Sequence, residues 1–138
     1  MPTSRKYPPN TLDQIVLGEA ASEGPEGLMA VLDTMVNRAR RQGKSLEEVA
    51  TAPYQFSAAA RKDLPQFYER QPPMLRNLVR ELIAERRQAS FQPSHPYEHY
   101  VTDQFWGNRL ELPETHWVRK MRPAKQIGHH VFLENLLR

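Results

Sequence analysis

Six apolar residues, Leu28, Val31, Leu32, Met35, Val36 and Ala39, recur at intervals of three and four. That spacing puts them on one stripe of an α-helix, and a stripe this long must be buried against something. Pro25 suits the first turn of such a helix, and Gly43 its stop. The chain is therefore expected to fold around one long amphipathic helix. With 138 residues, it can remove about two-thirds of its unfolded surface from water in a single core.

The flanking segments fill in the architecture. Residues 1–10 carry three prolines and read as an extended arm. Thr11-Leu12-Asp13-Gln14 has the spacing of a capping box, which predicts a helix over 11–21 with Leu12, Ile15 and Val16 on one face. Gly24-Pro25 breaks that helix and starts the long one. Ser45-Leu46-Glu47-Glu48 is a second capping box, opening a short helix that Pro53 ends. Residues 53–73 read as irregular. From Pro73, Leu75, Leu78, Val79, Leu82 and Ile83 mark another helix, with Arg76, Arg80, Arg86 and Arg87 expected mostly on its solvated side. After Ser90, Pro93, Pro96, Pro113 and Pro123 prevent long helices, while His99–Thr102 and Ile127–Phe132 are β-prone. The expectation is a mainly α (α+β) fold. The arm of residues 1–10 precedes one domain, 11–138, which closes with a small antiparallel sheet in its C-terminal third.

Composition excludes several classes. Without cysteine there are no disulfides and no thiolate metal sites. No apolar run follows the N-terminal residues as in a signal peptide, and none is long enough to span a membrane. No glycine-rich loop has a phosphate-binding pattern. The net charge of +3 is a mild bias toward anionic partners. Nucleic acid is not the expected partner, because the arginine-rich helix has no interleaved aromatics before Phe91. A basic nucleic-acid-binding or virion protein remains the non-enzymatic alternative.

Two groups of residues could carry chemistry. Glu19 shares a helix face with Leu12, Ile15 and Val16. A carboxylate at the end of an apolar stripe is desolvated, which raises its pKa toward that of a general acid working near neutrality. The alternative is that Glu19 lies at the stripe's margin and reaches water. Glu23, four residues on, would add like-charge repulsion if the helix continued. The second group is five histidines: His95, His99, His116, His129 and His130. His95 and His99 have a helical zinc-ligand spacing, but prolines break the segment and no HExxH order follows. On a strand, His129 and His130 would point to opposite faces. A metal-dependent amidase or peptidase is the alternative these residues suggest; no metal and no cofactor are expected. Ser57 lacks the glycines of a nucleophile elbow.

Gly18-Glu19-Ala20, Glu23, Glu26-Gly27 and Val36-Asn37-Arg38 follow one another in the order of a known family's opening. Gln55-Phe56-Ser57, His99-Tyr100, Trp117 and Ile127-Gly128-His129-His130-Val131-Phe132 continue that order. Over residues 12–133 the chain resembles the SleB-type (SleB/CwlJ-like) cell-wall hydrolases. Ala21-Ser22, His129 and Leu133 depart from the pattern, as does Ser94–Glu98, which replaces a glycine-rich stretch. The resemblance implies a lysozyme-like fold and cleavage of peptidoglycan between N-acetylmuramic acid and N-acetylglucosamine, by a lytic transglycosylase or muramidase. It implies that Glu19 is the catalytic acid. Glu23 is a possible second acid or support, with Asp103 as another candidate carboxylate. Gln55, Ser57, His99, Tyr100 and His130 are the expected groove residues. Phe56, Tyr100 and Phe132 are expected in the core rather than as sugar platforms. The short chain is similar to phage lysis proteins (endolysins). It is expected to be a monomer, held in the cytoplasm of the producing or host cell and acting on the wall after release.

Overall fold

The computed structural model describes residues 6–136. Six α-helices precede and intersperse three strands: α1 Thr11–Ala20, α2 Gly24–Gln42, α3 Leu46–Thr51, α4 Leu64–Glu69, α5 Pro73–Arg86, β1 His99–Thr102, α6 Asp103–Gly107, β2 Met121–Ile127 and β3 His130–Asn135. Short 3-10 turns at Ala21–Glu23, Ser57–Ala60, Arg109–Glu111 and Trp117–Lys120 join them. The fold is mainly helical with a small antiparallel sheet in its C-terminal third, as expected.

The helix α2 is the centre. Leu28, Val31, Leu32, Met35 and Val36 are fully buried, and α1 packs Leu12, Ile15, Val16 and Leu17 against them. Val79 and Ile83 of α5 and Leu46 and Val49 of α3 close the same core. Gly43 ends α2 in the left-handed conformation (φ 66°) that its lack of Cβ permits. At α3 both arms of the capping box form: Ser45 Oγ accepts from the Glu48 N–H, and Glu48 Oε1 accepts from the Ser45 N–H, each at 3.1 Å.

Several expectations need correction. Thr11 does not cap α1. It is the first helical residue, its hydroxyl donates to the Pro8 carbonyl at 2.7 Å, and the cap is Asn10 in the left-handed region. Part of the expected arm, residues 1–5, lies outside the described residues. The segment 53–73 is not irregular throughout, since it holds α4, with Leu64 and Tyr68 buried. Arg86 is not on a solvated face. It is 3% exposed and paired with Asp33, itself 1% exposed, at 2.8 Å. Residues Ile127–Phe132 are not one strand but the two sides of a hairpin. Ile127 pairs with His130, and Gly128, at φ 58°, takes the first loop position, where positive φ is required. His129 is therefore a turn residue.

The sheet order is β1-β3-β2, all antiparallel. Pro123 lies on the edge strand β2, beside a register irregularity, where the lost donor does least harm. Tyr100 pairs with Phe132 across β1 and β3. A second small cluster, Val118, Met121, Val131 and Leu133, supports the sheet.

Candidate active site

Three polar residues of α2 dock the proline-rich segment that precedes β1. Asp33 accepts from the Ser94 N–H and hydroxyl at 3.0 and 2.7 Å. Asn37 donates to the carbonyls of His95 and Tyr97 at 2.8 and 3.0 Å. Arg38 Nε donates to the Glu98 carbonyl. These bonds satisfy the backbone of a segment that has no ladder of its own. They also fix where β1 begins, and so where Tyr100 reaches.

Tyr100 reaches Glu19: its hydroxyl donates to Glu19 Oε1. The other oxygen, Oε2, accepts from the Ala58 N–H at 2.8 Å and the Ser57 hydroxyl at 3.1 Å. Glu19 thus sits at the end of α1, between the 57–60 turn and β1. The close approach of that turn depends on Gly18. A Cβ there would stand 2.7 Å from Ala58 Cβ and 2.9 Å from Leu64 Cδ1, distances too short for carbon atoms. Burial, and then the adjacent Glu19 carboxylate, push the Tyr100 hydroxyl well above its ordinary pKa. It therefore stays protonated and serves Glu19 as a donor.

Glu19 borders a cleft of about 810 Å³, a volume typical of small-ligand sites. Two groups of residues line it with Gly18, Glu19 and Arg38: one from the 51–60 segment, the other Tyr100–Thr102, Phe105, His116, Trp117 and His130. Among the described residues, Glu19 is the one carboxylate in that lining. Arg38 contributes the one cation, held by Gln55 Oε1 at 2.9 Å and His99 Nδ1 at 2.9 Å, over the Phe56 ring.

Of the residues singled out from the sequence, Gln55, Ser57, Tyr100 and His130 line the cleft with Glu19. His99 does not. It lies behind Arg38, with its ring 5.3 Å from that of Trp117. Burial, aided by the Arg38 charge, lowers its pKa to about 4, so it is the neutral acceptor of an Arg38 N–H. His130 is buried, its ring 4.5 Å from Tyr100 and its pKa lowered by desolvation. Glu23 is outside the cleft lining. It sits against the β2–β3 turn, where Oε2 accepts from the His129 N–H at 3.2 Å. Asp103 pairs with His129 Nδ1 at 3.1 Å on the surface. His95 bonds the Ala30 carbonyl and the Tyr97 N–H, at 2.9 and 3.0 Å. Among the described residues, no three histidine, aspartate or glutamate side chains gather as metal ligands do. Phe56 and Phe132 are core residues. Sequence reasoning missed Arg38 as a cleft residue, although Val36-Asn37-Arg38 had been noticed, and it missed Tyr54 and Phe105 altogether.

The cell wall hydrolase family profile matches residues 22–133. The chain belongs to that family, as the resemblance to SleB-type enzymes implied. The matched stretch contains Gln55, Ser57, Tyr100 and His130, and begins three residues after Glu19. Among solved structures, the catalytic domain of the germination-specific lytic transglycosylase SleB from Bacillus anthracis is similar in fold. Its TM-score is 0.60 at 20% identity, over 96% of this chain and 100% of that one. A search of curated proteins gives no match.

Proposed function

We propose that this cell-wall hydrolase cuts the glycan strands of peptidoglycan between N-acetylmuramic acid and N-acetylglucosamine as a lytic transglycosylase, with Glu19 as its acid and base. The observation that carries the reading is the single carboxylate of the cleft, held by three donors from two separate segments. A water-using glycosidase needs two carboxyl groups flanking the bond, about 5–5.5 Å apart for retention or about 6.5–9.5 Å for inversion. Glu23 and Asp103, the other candidates, are bonded to the β2–β3 turn instead.

The hydrogen bonds favour one of the two oxygens for this role. Oε2 is filled by the Ala58 N–H and the Ser57 hydroxyl. Oε1 receives only Tyr100 and keeps a free lone pair, which makes it the oxygen open to the substrate. The acid proton passes to the glycosidic oxygen as its bond to C1 of the muramic acid breaks, through an oxocarbenium-like transition state. The C6 hydroxyl of the same sugar then attacks C1 and returns its proton to the ionised Glu19. The product is a 1,6-anhydro end, and no water is consumed. The three donors hold the carboxylate in place for both proton transfers. The protein's place of work is the wall, reached after release from the cell that makes it, and its effect there is lysis.

Two measurements test this. Glu19→Gln should lower wall-clearing turnover by at least about 100-fold, the scale of general acid catalysis, with unchanged melting. Mass spectrometry of digested walls should find 1,6-anhydro-muramic ends. Clearing by Glu19→Gln at near the parent rate would reject the role of Glu19; reducing ends alone would make water the acceptor.

A further inference from the structure

Phe56 and Phe132 are in the core, as expected, while Tyr100 is half-buried against it with its hydroxyl on Glu19, so a ring that lies open to a ligand must come from elsewhere. Two large hydrophobic side chains of the cleft are exposed on the β1 side: Trp117 is 46% exposed and Phe105 40%. They belong to one row. Phe105 lies 6.2 Å from His116, and His116 lies 5.9 Å from Trp117 in a near-parallel arrangement. In the 51–60 part of the same lining, Tyr54 is fully exposed. Its backbone is left-handed, at φ 62°, an unfavourable conformation for a bulky side chain. Nothing in the packing repays that strain, since the ring touches no core residue. Strain retained at an exposed ring beside a site is a reason to look for a ligand there.

We propose that Trp117 and Tyr54 are sugar-stacking platforms that grip the glycan strand in the cleft of Glu19, an assignment that rests on reading the cleft as a glycan site. The chemistry fits a chain of N-acetylated hexoses. Such a sugar shows a flat C–H face, which an aromatic ring covers, and an edge of hydroxyl and amide groups. Gln55, Thr102 and His116 stand beside the rings to meet that edge. A charged stem peptide fits less well, since the lining offers it one carboxylate and one arginine already held by three acceptors.

The test measures binding without cleavage. The Glu19→Gln protein is titrated with peptide-free glycan strands, by calorimetry and by tryptophan emission. The chain has two tryptophans. Trp106 is half-buried under Arg109, so a ligand on the platform changes chiefly the Trp117 emission. In this background Trp117→Ala should raise Kd about tenfold, the loss typical of a buried aromatic anchor. Tyr54→Gly should raise it about fivefold, within the range of such anchors. Glycine accepts the left-handed backbone, so this variant removes the ring and keeps the turn. Tyr54→Phe should bind as the parent does, and all variants should melt with the parent. The proposal is overturned if glycan strands do not bind, or if Trp117→Ala and Tyr54→Gly bind within twofold of the parent. If the platforms hold but the active protein yields no cleaved glycan, the catalytic reading fails and the binding assignment stands.

Discussion

Acidification from pH 7.5 to 5 should destabilise this protein through its buried and half-buried histidines, before its carboxylates matter. His99 is the best-defined case. Its folded pKa is about 4, because burial and the neighbouring Arg38 guanidinium oppose a second cation there. In the unfolded chain a histidine titrates near 6.5. Between those values the unfolded state holds a proton that the folded state lacks, so stability falls as the pH falls through this window. Above 6.5 the contribution is constant, and below 4 it falls no further. Each unit is worth about 1.36 kcal/mol. The loss from His99 alone is then about 2 kcal/mol at pH 5, and about 3 kcal/mol when the window has been crossed. Burial lowers His95 and His130 as well, which adds in the same direction. His129 works oppositely, raised by its bond to Asp103, but it is exposed and its effect is screened. For a chain of this size a loss of about 2 kcal/mol lowers Tm by about 6–8 °C. Differential scanning calorimetry at pH 7.5, 6.5, 5.5 and 5 would show it. A flat Tm over that range would refute the reasoning. So would a His99→Gln protein, whose amide oxygen can still accept from Arg38, if it kept the full pH slope.

Two further predictions follow from close contacts. Asp33→Ala leaves Arg86 charged and buried and removes the acceptor of both Ser94 donors; urea unfolding should report a loss of about 3–5 kcal/mol, as when one member of a buried pair is removed, and a loss below 1 kcal/mol would be inconsistent with it. Gly18→Ala places a Cβ against Ala58 and Leu64, so the 57–60 turn must move away from Glu19; wall-clearing activity should fall by about tenfold or more, as displacements near 1 Å do, with helical circular dichroism retained, and parent-level activity would show the contact to be harmless.

What the sequence disclosed divides by distance along the chain. The helix α2 and the Ser45 capping box were legible because periodicity and capping are local: their partners lie three or four residues away. Thr11 had the same local signal as Ser45 and failed, since its hydroxyl found the Pro8 carbonyl instead of the helix N–H groups. Arg86 was misplaced because its partner is 53 residues distant in sequence. Pattern reasoning assigns a lone arginine to solvent, and nothing local marks Asp33 as its counter-ion. Glu19 stands out in Gly18-Glu19-Ala20, and the structure supplies the physical content of that tripeptide: a residue without Cβ where two segments touch. Tyr54 left no signal at all, because exposure and positive φ are properties of the folded backbone.

The Val36-Asn37-Arg38 motif shows why a candidate site at the end of α1 needs a residue pattern in the middle of α2. The C-terminal third has short strands, four prolines between residues 93 and 123, and little helix to hold it. Its connection to the helical core is made by side chains of α2 bonding main-chain groups: Asp33 at Ser94, Asn37 at His95 and Tyr97, Arg38 at Glu98. Asp33 and Asn37 are four residues apart and so lie on one helical face, and they run in parallel with the segment they bind. Each bond satisfies a peptide group that would otherwise be left unpaired on leaving water. The next residues in that direction are His99 and Tyr100. The first is held by Arg38 and the second donates to Glu19. A polar stripe on the central helix therefore sets the reach of a hydroxyl at the Glu19 carboxylate. It does so mostly through bonds to main-chain carbonyls and N–H groups of residues 94–98, together with the Ser94 hydroxyl that Asp33 also accepts from.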